Sequence, residues 1–368
     1  MTAPAPVDDV DGVRPRVDAL LAEHVARLRT ELVALSPDTA PLADAVEAML
    51  GGGKRLRAAF AYWSWRAHGG EPGSSDERAA LRLGAALELF QAAALFHDDV
   101  MDDSDTRRGR PTAHCVFADA HRGLALRGDP RRFGDSAAIL LGDLALVGSD
   151  DELAAGLEPV RPAVGRRVRL VFDQMRSEVT AGQYLDLLAQ SQPWPDDPER
   201  MESTARLVIR AKSARYSVEQ PLALGAALAG ADERALGVCR AVGLPLGEAF
   251  QLRDDLLGVF GDPTVTGKPA GDDLREGKRT VLVARALAAA DPAQSALLVR
   301  WLGDPALDAR GAAMLAEVIA ATGAREQVVA LIRELADGAL ARIAAVGWSE
   351  PARSHLVTLA RRAVDRTS

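Results

Sequence analysis

An all-α fold is what this sequence predicts, and three observations carry the prediction. Ala, Leu, Arg and Glu recur at three- and four-residue spacing through most of the chain, the period that gathers side chains on one helix face. No stretch alternates with period two for long enough to build a sheet. Short clusters, Gly69-Gly70-Glu71-Pro72-Gly73, Pro193-Trp194-Pro195, Gly261-Asp262-Pro263 and Gly303-Asp304-Pro305, separate the periodic runs and have the length of inter-helix loops rather than domain linkers.

In chain order, residues 1–15 are rich in Pro, Ala and Asp without periodicity and read as a disordered leader. Residues 16–368 read as one large helical bundle around a central cavity. Helices are expected over 17–35, 41–50, 54–67, 76–104, 132–147, 165–190, 199–229, 233–260, 278–289, 308–322, 324–345 and 351–366. The stretch 81–97, LRLGAALELFQAAALFH, is apolar almost all round, which places it at the centre with more amphipathic helices about it. The chain is long enough to bury such a core: 368 residues, 48% hydrophobic and 26% charged, a globular balance.

A net charge of -8 repels phosphate backbones and argues against nucleic acid as a partner. Cys115 and Cys239 form no Cys-x-x-Cys, so neither a disulfide framework nor a cysteine zinc site is expected. The start MTAPAPVDDVDG lacks the basic and apolar segments of a signal peptide, and no transmembrane run is evident. A cytoplasmic protein is the expectation.

The chemistry concentrates in two acidic clusters. Asp98, Asp99 and Asp102, with Asp103 and Asp105 following, end the apolar run. Spacings of three and four residues bring carboxylates to one helix face, where unpaired like charges repel and burial adds to the cost. A divalent cation resolves that conflict, and oxygen-only ligands suit magnesium, which leaves positions for water and substrate phosphate. Alone, the cluster reads equally well as a solvated acidic helix end. Asp254 and Asp255 close a second long apolar helix, with Asp262 two turns on. Two such pairs, if their helices face each other, describe a metal and phosphate mouth over an apolar floor.

Lysine occurs only at Lys54, Lys212, Lys268 and Lys278, and every other basic residue is arginine. In such a chain a generic surface cation would be arginine, so these lysines read as sites that need a compact ammonium. Each lies in a basic segment or in Thr266-Gly267-Lys268, and Arg107-Arg108-Gly109-Arg110 supplies a further one.

Taken together and in order, GGGKRLR, HDDVMDDSDTRRGRP, LLGD (140–143), GQYLD (182–186), AKSARY (211–216), FQLRDDLLGVFGD and GKPAGDDLREGKRT resemble the trans-isoprenyl diphosphate synthases, or polyprenyl synthetases, over roughly residues 50 to 285. The resemblance implies an isoprenoid synthase fold, a homodimer, three magnesium ions and head-to-tail condensation of isopentenyl diphosphate with an allylic diphosphate. It implies that Asp98, Asp99 and Asp102 form the first aspartate-rich motif, with Asp98 and Asp102 as metal ligands, and that Asp254 and Asp255 begin the second, Asp254 as ligand. Lys54, Arg57, Gln91 and Arg108 match residues that hold isopentenyl diphosphate. Arg107, Lys212, Ser213, Gln251, Lys268 and Lys278 match the allylic diphosphate side, and Gln183 and Asp186 a polar pair beside the nascent cation. The second motif departs from the pattern by placing Gly258 where an aspartate often stands.

His97 beside Asp98 reads as a packed histidine rather than a base. Phe90, Ala93 and Ala94 lie eight, five and four residues before Asp98 and read as a product-length ruler, with Phe90 as its floor and geranylgeranyl diphosphate as the expected product. Two other classes are weighed. A class I terpene cyclase would carry Asn, Ser and Glu at its second metal site, and this chain contains no asparagine. A non-catalytic subunit that tunes product length would be expected to lose charged motif residues, and they are all present.

Overall fold

The computed structural model describes residues 11–194, 197–262, 271–304 and 306–365. The all-α expectation holds: the only strands among the described residues are Thr106–Arg107 and Arg110–Pro111, paired antiparallel. The chain groups into two compact units. The first comprises residues 1–168, 224–232 and 349–355, and the second 169–223, 233–348 and 356–368.

In the first unit, α1 (Val13–Leu35), α2 (Ala40–Leu50) and α3 (Leu56–Ala67) precede α4 (Ser75–Met101), followed after the hairpin by α5 (Ala113–Gly123) and α6 (Pro130–Leu157). Helix α4 packs against α1, α2, α3, α5 and α6, the central place its composition predicts. By length and composition α4 could cross a bilayer, yet 78% of its most apolar stretch is buried inside the protein. The first helix begins at Val13, inside the segment that composition reads as leader, and residues 1–10 lie outside the described set. Helix α5 was not foreseen from periodicity, because His and Asp residues interrupt its apolar face. Its signal is Thr112, an extended residue at the N-cap.

Buried carboxylates tie this unit together. Glu77 at the start of α4 accepts from Arg16 of α1 at 2.6 Å, Tyr62 of α3 at 2.8 Å and the Gly73 backbone at 3.0 Å. Chiefly through Arg16, and against its own burial, the Glu77 carboxyl is held down at about 2, while burial and this carboxylate push the Tyr62 phenol well above its ordinary value. A carboxyl with a depressed folded-state pKa contributes stability above its unfolded value and loses it as pH falls through the folded one. Glu77→Gln should therefore cost about 2 kcal/mol at neutral pH. Chemical denaturation of both proteins across pH should show that gap closing as pH falls from about 4.5 toward about 2.

In the second unit, α7 (Pro162–Ser191, entering from the first unit) is followed by α8 (Pro198–Val208), a π-helical segment (Ile209–Glu219), α9 (Gln220–Leu228, part of the first unit from Leu224 on) and α10 (Glu233–Phe260). After α11 (Asp272–Arg275) come α12 (Val281–Ala289), α13 (Pro292–Trp301), α14 (Ala309–Ala321), α15 (Ala324–Ala345) and α16 (Ala352–Val364). Helix α13 too escaped the periodicity, although Asp291 and Gln294 form a capping box at its start. Glu248 of α10, only 2% exposed, accepts from Arg206 of α8 at 2.5 Å and Arg210 of the π segment at 3.1 Å. That double pairing satisfies a charge whose burial would otherwise be costly and fixes the π segment against α10.

Candidate active site

Helix α4 ends earlier than its periodicity predicts, and the way it ends divides the labour among its aspartates. Asp102 is the C-cap, still helical, and its N–H donates to the Asp98 carbonyl at 2.8 Å. Asp98 and Asp102 therefore remain one turn apart, as the sequence requires of a shared cation site. Asp103 then turns the chain with φ 53. The following hairpin reverses through Arg108 (φ 52) and Gly109 (φ 72), the pair of left-handed residues that a type I′ turn demands.

This reversal lays Arg107 back on the end of α4. Its Nη2 and Nε donate to Asp99 Oδ1 at 2.5 and 2.6 Å, and Nη2 lies 3.6 Å from Asp98 Oδ2. Burial alone would lower the Arg107 pKa, but Asp99, Asp98 and Asp102 outweigh it and raise the value. Asp99, 1% exposed, thus serves as the buried anchor of Arg107. Asp98 is the more accessible, with a side chain 19% exposed. His97 turns instead to α6, where its Nε2 lies 3.1 Å from the Ile139 carbonyl. Its ring occupies the space a side chain at Gly142 would need, which accounts for the glycine of LLGD and gives His97 the packing role expected.

Close to Arg107 the unit collects guanidinium groups. Arg108 donates to the Gly51 carbonyl at 2.9 Å. Its pKa is pulled down first by burial and then by Arg107, Arg55 and Arg57, with Glu88 opposing. Arg55, in the left-handed region at φ 52, pairs with Asp18 at 2.6 Å and donates to the Leu50 carbonyl at 2.5 Å, so its role is to shape the GGGKRLR turn. Lys54 is exposed and precedes α3 rather than opening it; Arg57 is buried within α3, and Gln91 is half-buried on α4. Neighbouring cations that lower the Arg108 pKa make a site that gains from an anion.

In the second unit, Lys212 and Ser213 lie on the π segment, a backbone form frequent at functional sites. Lys212 Nζ donates to Asp186 Oδ2 of α7 at 2.7 Å, and Gln183 stands half-buried one turn earlier. A Cβ at Gly182 would come within 2.4 Å of the Lys212 backbone nitrogen, so the glycine of GQYLD is what allows this approach.

At the end of α10, Asp255 is buried and accepts from Gln251 Nε2 at 2.8 Å. Burial first, then the Asp273 and Asp254 charges, push its carboxyl up to about 8, although Gln251 and Lys278 oppose them. Asp273 answers the departure at Gly258. A Cβ there would sit 2.0 Å from Asp273 Oδ2, so the carboxylate of α11 fills the space that a side chain on α10 would occupy. Sequence reasoning missed Asp273, and its signal was the acidic pair in GDDLREGK. Lys278 lies 3.6 Å from Asp273 Oδ1, pairs also with Glu276, and precedes α12 rather than lying on it. Lys268 lies outside the described residues. Three carboxylates with one raised to about 8 fit a hard divalent cation, whose charge removes the repulsion. Asp254, Asp255 and Asp273 are the residues that would hold it here, as Asp98 and Asp102 would in the first unit.

Comparison with known proteins agrees with this chemistry. Residues 39–318 match the polyprenyl synthetase family model. Geranylgeranyl diphosphate synthase of Mycobacterium tuberculosis is 36% identical over 259 residues, 70% of this chain and 65% of that protein. Geranylfarnesyl diphosphate synthase of Aeropyrum pernix is 35% identical over 233 residues, 63% of this chain and 65% of that protein. The chain thus spans just under two thirds of the length of these two relatives. A crystal structure of geranylgeranyl pyrophosphate synthase from Corynebacterium glutamicum, complexed with isoprenyl diphosphate and magnesium, superimposes with a TM-score of 0.91 at 38% identity, covering 97% of this chain and 99% of that one. With its ordered motifs, helical fold and matched family model, the chain belongs to the polyprenyl synthetase family.

Proposed function

We propose that the protein condenses isopentenyl diphosphate head to tail with allylic diphosphates, with geranylgeranyl diphosphate as its main product. The observation that carries this reading is the division at the end of α4. Asp99 buries itself on Arg107, while Asp98 and Asp102 stay one turn apart at the end of the helix.

Asp98, Asp102 and Asp254 would hold magnesium, three ions by family analogy, with Asp255 and Asp273 completing the second acidic group; when bound, it would supply charge neutralisation to the departing diphosphate. Arg107, Lys212, Ser213, Gln251, Lys268 and Lys278 bind the allylic diphosphate. Lys54, Arg57, Gln91 and Arg108 bind isopentenyl diphosphate. The allylic C–O bond breaks with its electron pair moving to diphosphate, the alkene attacks the allylic carbon, and a proton then leaves to the released diphosphate. Gln183 and Asp186 present oxygens to the positive charge between these events, and apolar surroundings exclude water from it.

A homodimer belongs to the same proposal. Phe133, Leu140 and Val147 recur every seven residues along α6 and are exposed together with Ile139, a stripe suited to a second copy.

Incubation with isopentenyl diphosphate and each allylic primer, followed by chromatography of the dephosphorylated alcohols, tests the reading. A twenty-carbon alcohol is expected, and no elongation from any primer would overturn it. Lys212→Arg keeps the charge but replaces a point ammonium held at 2.7 Å from Asp186 by a planar fork. The KM for the allylic substrate should rise on the order of tenfold, the worth of one charge-assisted hydrogen bond. Parental kinetics in this variant would remove Lys212 from the diphosphate site.

A further inference from the structure

We propose that Asp105, His114 and Cys115 form a binding site for a thiophilic divalent cation such as zinc, separate from the magnesium carboxylates. The hairpin that returns Arg107 to α4 also closes at its base, where the Thr112 N–H donates to the Asp105 carbonyl at 3.0 Å. This brings Asp105 over the first turn of α5, on which His114 and Cys115 are neighbours. One ligand atom from each of the three residues lies within 4.8 Å of the others.

The Cys115 thiol lies 3.7 Å from Asp105 Oδ1. Tetrahedral zinc, with bonds of about 2.0–2.3 Å, separates its ligand atoms by roughly 3.3–3.8 Å, so this pair is already at ligand spacing. His114 supplies the second and independent observation. It is 5% exposed, and its Nδ1 has no hydrogen-bond partner, a state that buried imidazole nitrogens rarely tolerate.

One imidazole, one thiolate and one carboxylate form a mixed N, S and O set that favours zinc or cobalt over magnesium. Water completes four-coordination, and the exposed Asp105 opens the path to it. On binding, the metal–sulfur bond replaces the S–H bond, and the proton leaves to solvent. Burial and the charges of Asp105 and Asp103 keep the thiol protonated in the metal-free protein, raising its pKa. A cation reverses that preference. A multi-cysteine zinc site is excluded by the sequence, whereas this set forms only when the hairpin carries Asp105 across to α5.

The test is a Co2+ titration of the full-length protein with Mg2+ held saturating, because an oxygen-only site produces no thiolate-to-cobalt charge-transfer band. One equivalent of Co2+ should develop that band, Zn2+ should displace it, and Cys239→Ser should retain it. Cys115→Ser, nearly isosteric and half-buried, should abolish it. A band missing from the parent, or surviving in Cys115→Ser, would overturn the proposal. Asp105→Asn changes an exposed side chain and leaves the fold intact. It should weaken Co2+ binding by on the order of tenfold or more, and unchanged affinity would remove Asp105 from the ligand set.

Discussion

Asp98→Asn should lower turnover by about 10²–10³, the scale of losing one interaction with developing charge, while leaving folding stability within about 1 kcal/mol of the parent. The two halves of this expectation have different origins. Asp98 is only a distant partner of Arg107, at 3.6 Å, and Arg107 retains both of its short contacts to Asp99 when Asp98 is neutral. Removing one of several converging anions also relieves repulsion in the metal-free protein. Turnover falls because the proposed mechanism makes Asp98 one of the magnesium ligands. Asp99→Asn sets the contrast within the same motif. It strips the half-buried Arg107 guanidinium of its closest charge partner and leaves Asp98 at 3.6 Å, a change that costs about 3 kcal/mol. Single-turnover rates and thermal unfolding of both variants check the assignment. Near-parental turnover in Asp98→Asn would exclude Asp98 from the metal site, and equal loss of stability in both would remove the distinction drawn between them.

That distinction shows what the sequence can and cannot reveal. The three- and four-residue spacing of Asp98, Asp99 and Asp102 was visible, as was the apolar helix before them, because both are consequences of a local period. Which carboxylate turns inward depends on Arg107, and Arg107 returns only because Arg108 and Gly109 both adopt left-handed backbone. Asp273 was hidden for a similar reason. Gly258 reads as a missing ligand until α11 places a carboxylate over it, and that placement joins residues fifteen positions apart through a segment without periodicity. The π segment was read as ordinary helix, since its side chains follow much the same sequence pattern as α8 and α9 on either side. Among the lysines, Lys212 and Lys278 meet carboxylates within the second unit, whereas Lys54 is exposed ahead of α3.

Ala93→Phe should shift the main product from the proposed twenty carbons to fifteen, and Phe90→Ala should lengthen it. Helix α4 rises about 1.5 Å per residue, so Ala93 stands about 7.5 Å and Phe90 about 12 Å from Asp98 along the axis. The difference, three residues, is close to the reach of one isoprene unit. Ala93 and Phe90 are both buried, at 0% and 4% exposure, and Ala94 is half-buried beside them; if α4 is the ruler, the chain descends past the small side chains at Ala93 and Ala94 and first meets a bulky one at Phe90. Stability separates this role from ordinary core packing. A phenyl ring added where Ala93 meets packed protein would overfill the core and cost about 1–3 kcal/mol. The same ring added where the growing chain descends would displace product and leave the fold nearly untouched. Chromatography of the alcohols and denaturant unfolding should therefore be read together. A shortened product with parental stability places Ala93 on the path of the chain. An unchanged product distribution in both variants places the floor elsewhere and ends the case for α4 as the ruler.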